Sequence, residues 1–96
     1  MIELRTLLWV WQTQASGRWY FLSIAEEKSA EIRAAAFAGL RGFGSVRVEC
    51  TINGVTWRTS VFPQKSGGYI LPVKADVRRK AHIATGEEVR VELELL

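Results

Sequence analysis

Arg47, Arg58, Ser60, Lys65, Lys74 and Arg78 are the residues of this sequence with the most chemistry to offer, and that chemistry is anion binding. A guanidinium matches the paired oxygens of a phosphate or carboxylate, a lysine adds a point charge, and a serine adds a neutral donor. Arg47, Arg58 and Ser60 share the polar face of one strand pair. Lys65 follows in a loop, Lys74 ends the next strand, and Arg78 sits in a basic run, Arg78-Arg79-Lys80, on a short helix. That helix starts near Lys74-Ala75-Asp76, so its free N–H groups would add to an anion site. A plainer reading spends the same charges locally: Arg58 on Glu49, Arg78 or Arg79 on Asp76 or a final-strand Glu, and the rest on solvent.

Catalytic chemistries are poorly supplied. Cys50 falls on an apolar strand face with no cation placed to lower its pKa, which marks a buried structural thiol. Ser60 lacks a base within plausible reach, since the chain has one His and a single Asp, Asp76. Glu88, Glu92 and Glu94 alternate along the outer face of one strand, the habit of a solvated edge that discourages edge-to-edge pairing rather than of a paired acid and base. Gly39, Gly42 and Gly44 follow a helix and precede a strand, the reverse of a phosphate-cradling loop. One Cys and one His exclude a self-contained Cys/His zinc site. The expectation is a protein that is not an enzyme and needs no metal or cofactor.

The elements that must position these residues follow from periodicity. The central signal is a hairpin: Val46, Val48, Cys50 and Ile52 alternate with polar residues, Asn53-Gly54 intervenes, and Val55 to Phe62 resumes. Asn-Gly suits a type I′ turn, which needs positive φ at both central residues. A two-residue loop sets Ile52 opposite Val55, Thr51 opposite Thr56, Cys50 opposite Trp57, Glu49 opposite Arg58, Val48 opposite Thr59 and Arg47 opposite Ser60.

Upstream, Leu4 to Gln12 reads as a strand open to water at its start and covered on both faces later. Ala15-Ser16-Gly17 turns it into a second strand, Arg18 to Ile24. Ser23-Ile24-Ala25-Glu26 has the form of a capping box, opening a helix over Glu26 to Arg41 that buries Ile32, Ala35, Ala36 and Leu40. Downstream come a loop, Pro63 to Gly68, and a short strand, Tyr69 to Val73, whose Pro72 favours an edge. A helix over Lys74 to Ile83 follows, then a last strand, Glu88 to Leu95, with Val89, Val91, Leu93 and Leu95 inward. The four tryptophans, Trp9, Trp11, Trp19 and Trp57, all lie on strands and are expected to fill the core. Only Trp11 and Trp19, near the first hairpin's tip, are placed for partial exposure.

The 96 residues allow one domain, 1–96, with 48% apolar residues, 24% charged and a formal charge of +3. No run approaches a membrane span. The lone cysteine and the absence of a leader-like start suggest the cytoplasm. The order β-β-α-β-β-β-α-β makes a mainly β (α+β) barrel of about six strands with two helical caps.

The runs Gly42-Phe43-Gly44-Ser45-Val46-Arg47-Val48, Thr51-Ile52-Asn53-Gly54, Trp57-Arg58-Thr59-Ser60-Val61-Phe62-Pro63 and Gly68-Tyr69-Ile70-Leu71-Pro72-Val73-Lys74 resemble the bacterial domain-of-unknown-function family DUF1905. The likeness extends over nearly the whole chain. It implies a double-split β-barrel capped by helices, the broad architecture of the transition-state-regulator and antitoxin DNA-binding barrels, and it implies no activity. Ser23-Ile24-Ala25 stands where the family has a Thr-Leu-Pro-like helix start, and His82 stands where it has a glycine. A left-handed site there would suit His, one of the few other residues that tolerate it.

Two functions follow as expectations. The first is a non-catalytic binding module that holds an anionic small molecule, or less readily a nucleic-acid backbone, on the six residues named at the outset. The alternative is a homodimer or partner-docking protein working through the Pro72 edge strand or through Trp9 and Trp11.

Overall fold

A computed structural model describes residues 1–14, 17–38, 44–65 and 67–96. Alternating apolar residues become six antiparallel strands: β1 (Ile2–Thr13), β2 (Gly17–Ile24), β3 (Val46–Ile52), β4 (Val55–Pro63), β5 (Tyr69–Pro72) and β6 (Glu88–Leu95). Helix α1 (Glu26–Ala38) follows β2, and α2 (Ala75–Ala81) follows β5. The strands close into a barrel in the order β1-β2-β5-β4-β3-β6. This is the small helix-capped β-barrel that the patterning predicts.

Two strands change partners part-way. In β1, Ile2 to Leu7 pair with β6, and Leu8 to Thr13 pair with β2. In β4, Val55 to Val61 pair with β3, whereas Phe62 and Pro63 pair with β5. Each of these strands therefore belongs to two sheets, and beside each a stretch of backbone has a neighbour on one side only. The helices pack there, α1 against β1 and α2 against β4. Inside, Leu4, Leu8, Leu22, Val48, Cys50, Ile52, Val61, Leu71, Val91 and Leu93 form the centre of a single buried cluster.

The β3–β4 hairpin has the predicted register at every pair. Asn53 and Gly54 have φ of 48° and 78°, as a type I′ turn requires. Outside the barrel, Thr51 and Thr56 hydroxyls are 2.9 Å apart, and Arg58 Nε donates to Glu49 Oε2 at 3.1 Å. The last strand also behaves as expected, with Val89, Val91 and Leu93 buried. It is not the solvated edge its alternating glutamates suggest: it is paired on both sides, and its Arg90 donates to both oxygens of Glu3 at 3.1 and 2.9 Å. That guanidinium holds the Glu3 carboxyl below its ordinary range.

Several expectations are corrected. The far half of β1 is not covered on both faces: Val10 and Gln12 are exposed, and Trp11 is 53% exposed. Beyond Phe21 toward the hairpin tip, β1 and β2 pair only with each other, so they run on as a two-stranded ribbon past the barrel. Trp19, directly opposite Trp11, is 49% exposed, while Trp9 and Trp57 are only part-buried. None of the four tryptophans belongs to the buried core, which is mostly aliphatic and includes Tyr69 and Cys50. Nor is β5 an edge, because it lies between β2 and β4. Pro72 fits because it pairs with Phe21 alone, two residues past the last β4–β5 pair, where a missing N–H breaks no ladder on that side.

The expected capping box does not form. Ser23 stays in β2, and its hydroxyl accepts the Trp9 indole N–H at 2.9 Å. The helix instead starts with Glu26 and Glu27 in its first turn, where carboxylates favour the positive end of the dipole. Its buried positions are Ser29, Ile32 and Ala36, and Ala35 is exposed. Leu40, Arg41, Gly39 and Gly42 lie outside the described residues, as do Ala15 and Ser16 of the first turn. His82 closes α2 in the left-handed conformation, φ 55° and ψ 48°. The Ile83 N–H bonds back to the Arg78 carbonyl and the His82 N–H to that of Arg79, a Schellman ending.

Ser29 is a polar residue the sequence pattern does not flag. It is fully buried, donates to the Ile24 carbonyl at 3.0 Å and accepts the Tyr69 N–H at 3.0 Å, pinning α1 to the ends of β2 and β5. Gly68 lies beneath it: φ is +77°, and a Cβ there would stand 2.9 Å from the Ile24 carbonyl oxygen. Gly86 has a similar φ of +87° but open space around it.

Urea denaturation tests this joint. Ser29→Ala should lower stability by about 1–3 kcal/mol, because it strands a buried N–H. Gly68→Ala should cost at least ~1 kcal/mol more than Gly86→Ala: both strain the backbone, but only the first adds a backbone clash. Equal losses at the two glycines would contradict the packing described.

Candidate functional site

The split beside β4 opens into a groove of about 660 Å³. Its existence follows from strand lengths. β5 has four residues, so β2 before Phe21 and β4 before Phe62 have no strand between them. The chain leaving β5 crosses this gap as Val73-Lys74 and enters α2. One wall is Arg18 to Phe21 of the projecting ribbon, the other is Arg58, Thr59, Ser60 and Phe62 of β4, with Arg47 beside them from β3. Pro72 to Ala75 and Arg78 complete the lining.

Five of the six residues predicted to bind an anion thus share one groove: Arg47, Arg58, Ser60, Lys74 and Arg78. Arg47 and Ser60 are directly opposed across the hairpin. Lys65 is exposed in the β4–β5 connection and does not line the groove. Arg18 does, making five cationic side chains, and no carboxylate is among the lining residues. Sequence reasoning misses Arg18 because only the pairing of β2 with β5 turns the first hairpin toward the second helix. The signal available was Arg18-Trp19, a cation beside a large ring at a hairpin tip.

The local partners differ from the plainer reading at one position and agree at another. Arg58 does pair with Glu49; the guanidinium is well hydrated and the carboxylate half-buried, and a pair so placed contributes little. Arg78 pairs with no carboxylate among the described residues. Its Nη1 donates to the Val73 carbonyl at 2.7 Å, and its guanidinium carbon lies 3.5 Å from the centre of the Tyr20 ring. The Val73 N–H in turn donates to the Tyr20 carbonyl at 2.9 Å. Asn53 of the hairpin turn donates to the Ala81 carbonyl at 2.8 Å, so the groove's helix is tied down at both ends. Among the described residues Arg18, Arg47 and Lys74 have no carboxylate within salt-bridge distance.

The start of α2 adds no anion site of its own. The helix has seven residues, and the Asp76 carboxylate accepts the Val77 N–H at 3.0 Å, placing a negative charge in its first turn. Cationic side chains, not helix N–H groups, make the groove positive.

The family model described as Domain of unknown function (DUF1905) matches residues 5–93 of the chain. No curated protein matches it.

Cys50 stands apart from the groove's chemistry. It is fully buried among β3, β4 and β6, and burial, with the Glu49 charge second, pushes its thiol up to about 12. A thiol raised in the folded state favours folding below the unfolded thiol pKa and loses that contribution as pH rises toward 12. A disulfide reagent at pH 8 should therefore label unfolded protein within seconds to minutes and leave native protein unlabelled over the same interval. Rapid native labelling would contradict the burial.

Proposed function

The chain belongs to the DUF1905 family, and we propose that it is a non-catalytic binding module whose groove between β2, β4 and α2 holds an anionic small molecule. The observation that carries this reading is the convergence of five cations on a groove with no lining carboxylate. Like charges gathered in one cleft repel one another, and in a low-dielectric recess they concentrate a field that draws an anion. Surface solvation alone would disperse them. Arg18, Arg47, Arg58 and Lys74 supply charge, and Ser60 supplies a hydroxyl. The field is local, since the whole chain carries only +3.

A second reading rests on the ribbon. Val10 and Trp11 are exposed on its β1 strand, and apolar side chains so placed suit a docking partner or a second copy. The barrel is closed, so any unpaired strand backbone available to a partner lies along the ribbon and beside β4. Light scattering tests self-association, which a monomeric mass at high concentration excludes.

A titration with inorganic pyrophosphate, followed through backbone amide shifts, tests the first reading. Shifts should centre on Arg18, Arg47, Arg58, Ser60, Lys74 and Arg78 and shrink at high salt. Arg47→Ala and Arg58→Ala should each weaken binding about 10- to 100-fold, the effect of losing a charge-assisted hydrogen bond. No shift, or shifts scattered around the barrel, would overturn the proposal.

A further inference from the structure

The same groove is as aromatic as it is cationic. Trp19, Tyr20, Phe21 and Phe62 contribute four rings to its lining, against Pro72, Val73 and Ala75 as the aliphatic contribution. Trp19 and Phe62 are 49% and 44% exposed, so two large ring surfaces stand in water beside the cations. Core packing explains neither, because both lie on strand faces turned away from the buried cluster. The groove already contains one stacked pair of the relevant kind, the Arg78 guanidinium over Tyr20.

Resting on the anion-site reading above, we infer that the ligand is a nucleoside phosphate: a planar base stacked against Trp19 and Phe62, with its phosphate on Arg47, Arg58 and Lys74. A bare phosphate would use the cations and leave the rings wet. A fatty acid would call for aliphatic walls, which this groove has mainly at one end. The volume of about 660 Å³ lies within the range of whole small-molecule sites, roughly 300–1,000 Å³, and far exceeds what a simple oxyanion needs. Base-on-ring stacking tolerates any base, because every base has a π face. The structure thus assigns the ligand class and leaves the base open.

Isothermal titration of the intact protein with AMP, ribose 5-phosphate, adenosine and laurate tests this. AMP should bind at least tenfold more tightly than each of the other three. Trp19→Ala should weaken AMP on the order of 5- to 100-fold, the usual effect of losing one stacked ring, and leave ribose 5-phosphate unchanged. Trp19→Tyr, which keeps a ring, should recover most of the loss. Trp19 is surface-exposed on the ribbon, and far-ultraviolet circular dichroism confirms that each variant folds. A tetranucleotide that binds more tightly than AMP, with the same Trp19 dependence, assigns this chemistry to a strand end rather than a free nucleotide. Ribose 5-phosphate or laurate binding as tightly as AMP, or an inert Trp19→Ala, overturns the nucleoside inference and leaves the anion site standing. No binding by AMP, ribose 5-phosphate or pyrophosphate removes both.

Discussion

Partner exchange within β1 and β4 is the constraint on which this structure depends. A six-stranded barrel needs every strand paired on both sides, but β5 is only four residues long and cannot span the full height of β2 and β4. The shortfall is met by changing partners at Leu8 in β1 and between Val61 and Phe62 in β4. Each change leaves a gap in the wall that a helix must cover, since unpaired strand backbone is costly to bury. α1 is held over one gap by the Ser29 hydroxyl, which joins it to Ile24 and Tyr69. α2 is held at the other by Asn53 and by the Arg78 anchor. The seven-residue α2 does not fill its gap, and the groove is what remains.

That origin explains the groove's composition. Its walls are outer faces and frayed ends of strands, where side chains need not be aliphatic, so charge and ring surface are both permitted. Among the described residues the interior, by contrast, is apolar apart from Ser29, the Tyr69 hydroxyl and the neutral Cys50 thiol. The division is not complete, since Arg78 both lines the groove and anchors α2 through the Val73 carbonyl. Removing Arg47 takes away an exposed charge, whereas removing Ser29 strands a buried N–H.

How much of this was legible in the sequence depends on the range of the interaction. The β3–β4 hairpin was readable to the residue, because Asn53-Gly54 sets the turn and two-residue alternation sets the faces. The left-handed His82 ending was legible only through the family resemblance, which puts a glycine there; periodicity alone runs the helix on to Ile83. Long-range relations were not legible. Ser23 has the spacing of a cap, yet the Trp9 indole across the ribbon takes its hydroxyl. The tryptophans follow strand parity, but parity does not say that β1 and β2 outrun the barrel. Four of the groove's five cations, Arg47, Arg58, Lys74 and Arg78, are legible because hairpin register and chain order place them near one another. Arg18 and the rings came only with the closure of β2 on β5.

Native mass spectrometry of protein purified at low salt tests most directly whether the gap beside β4 is a binding site. The account predicts that the wild-type barrel carries a phosphate-bearing small molecule, released on denaturation, and that the Arg47→Glu/Arg58→Glu double variant folds but comes away bare. The same adduct on both proteins would contradict it, as would a bare wild type that takes up no phosphate compound on titration.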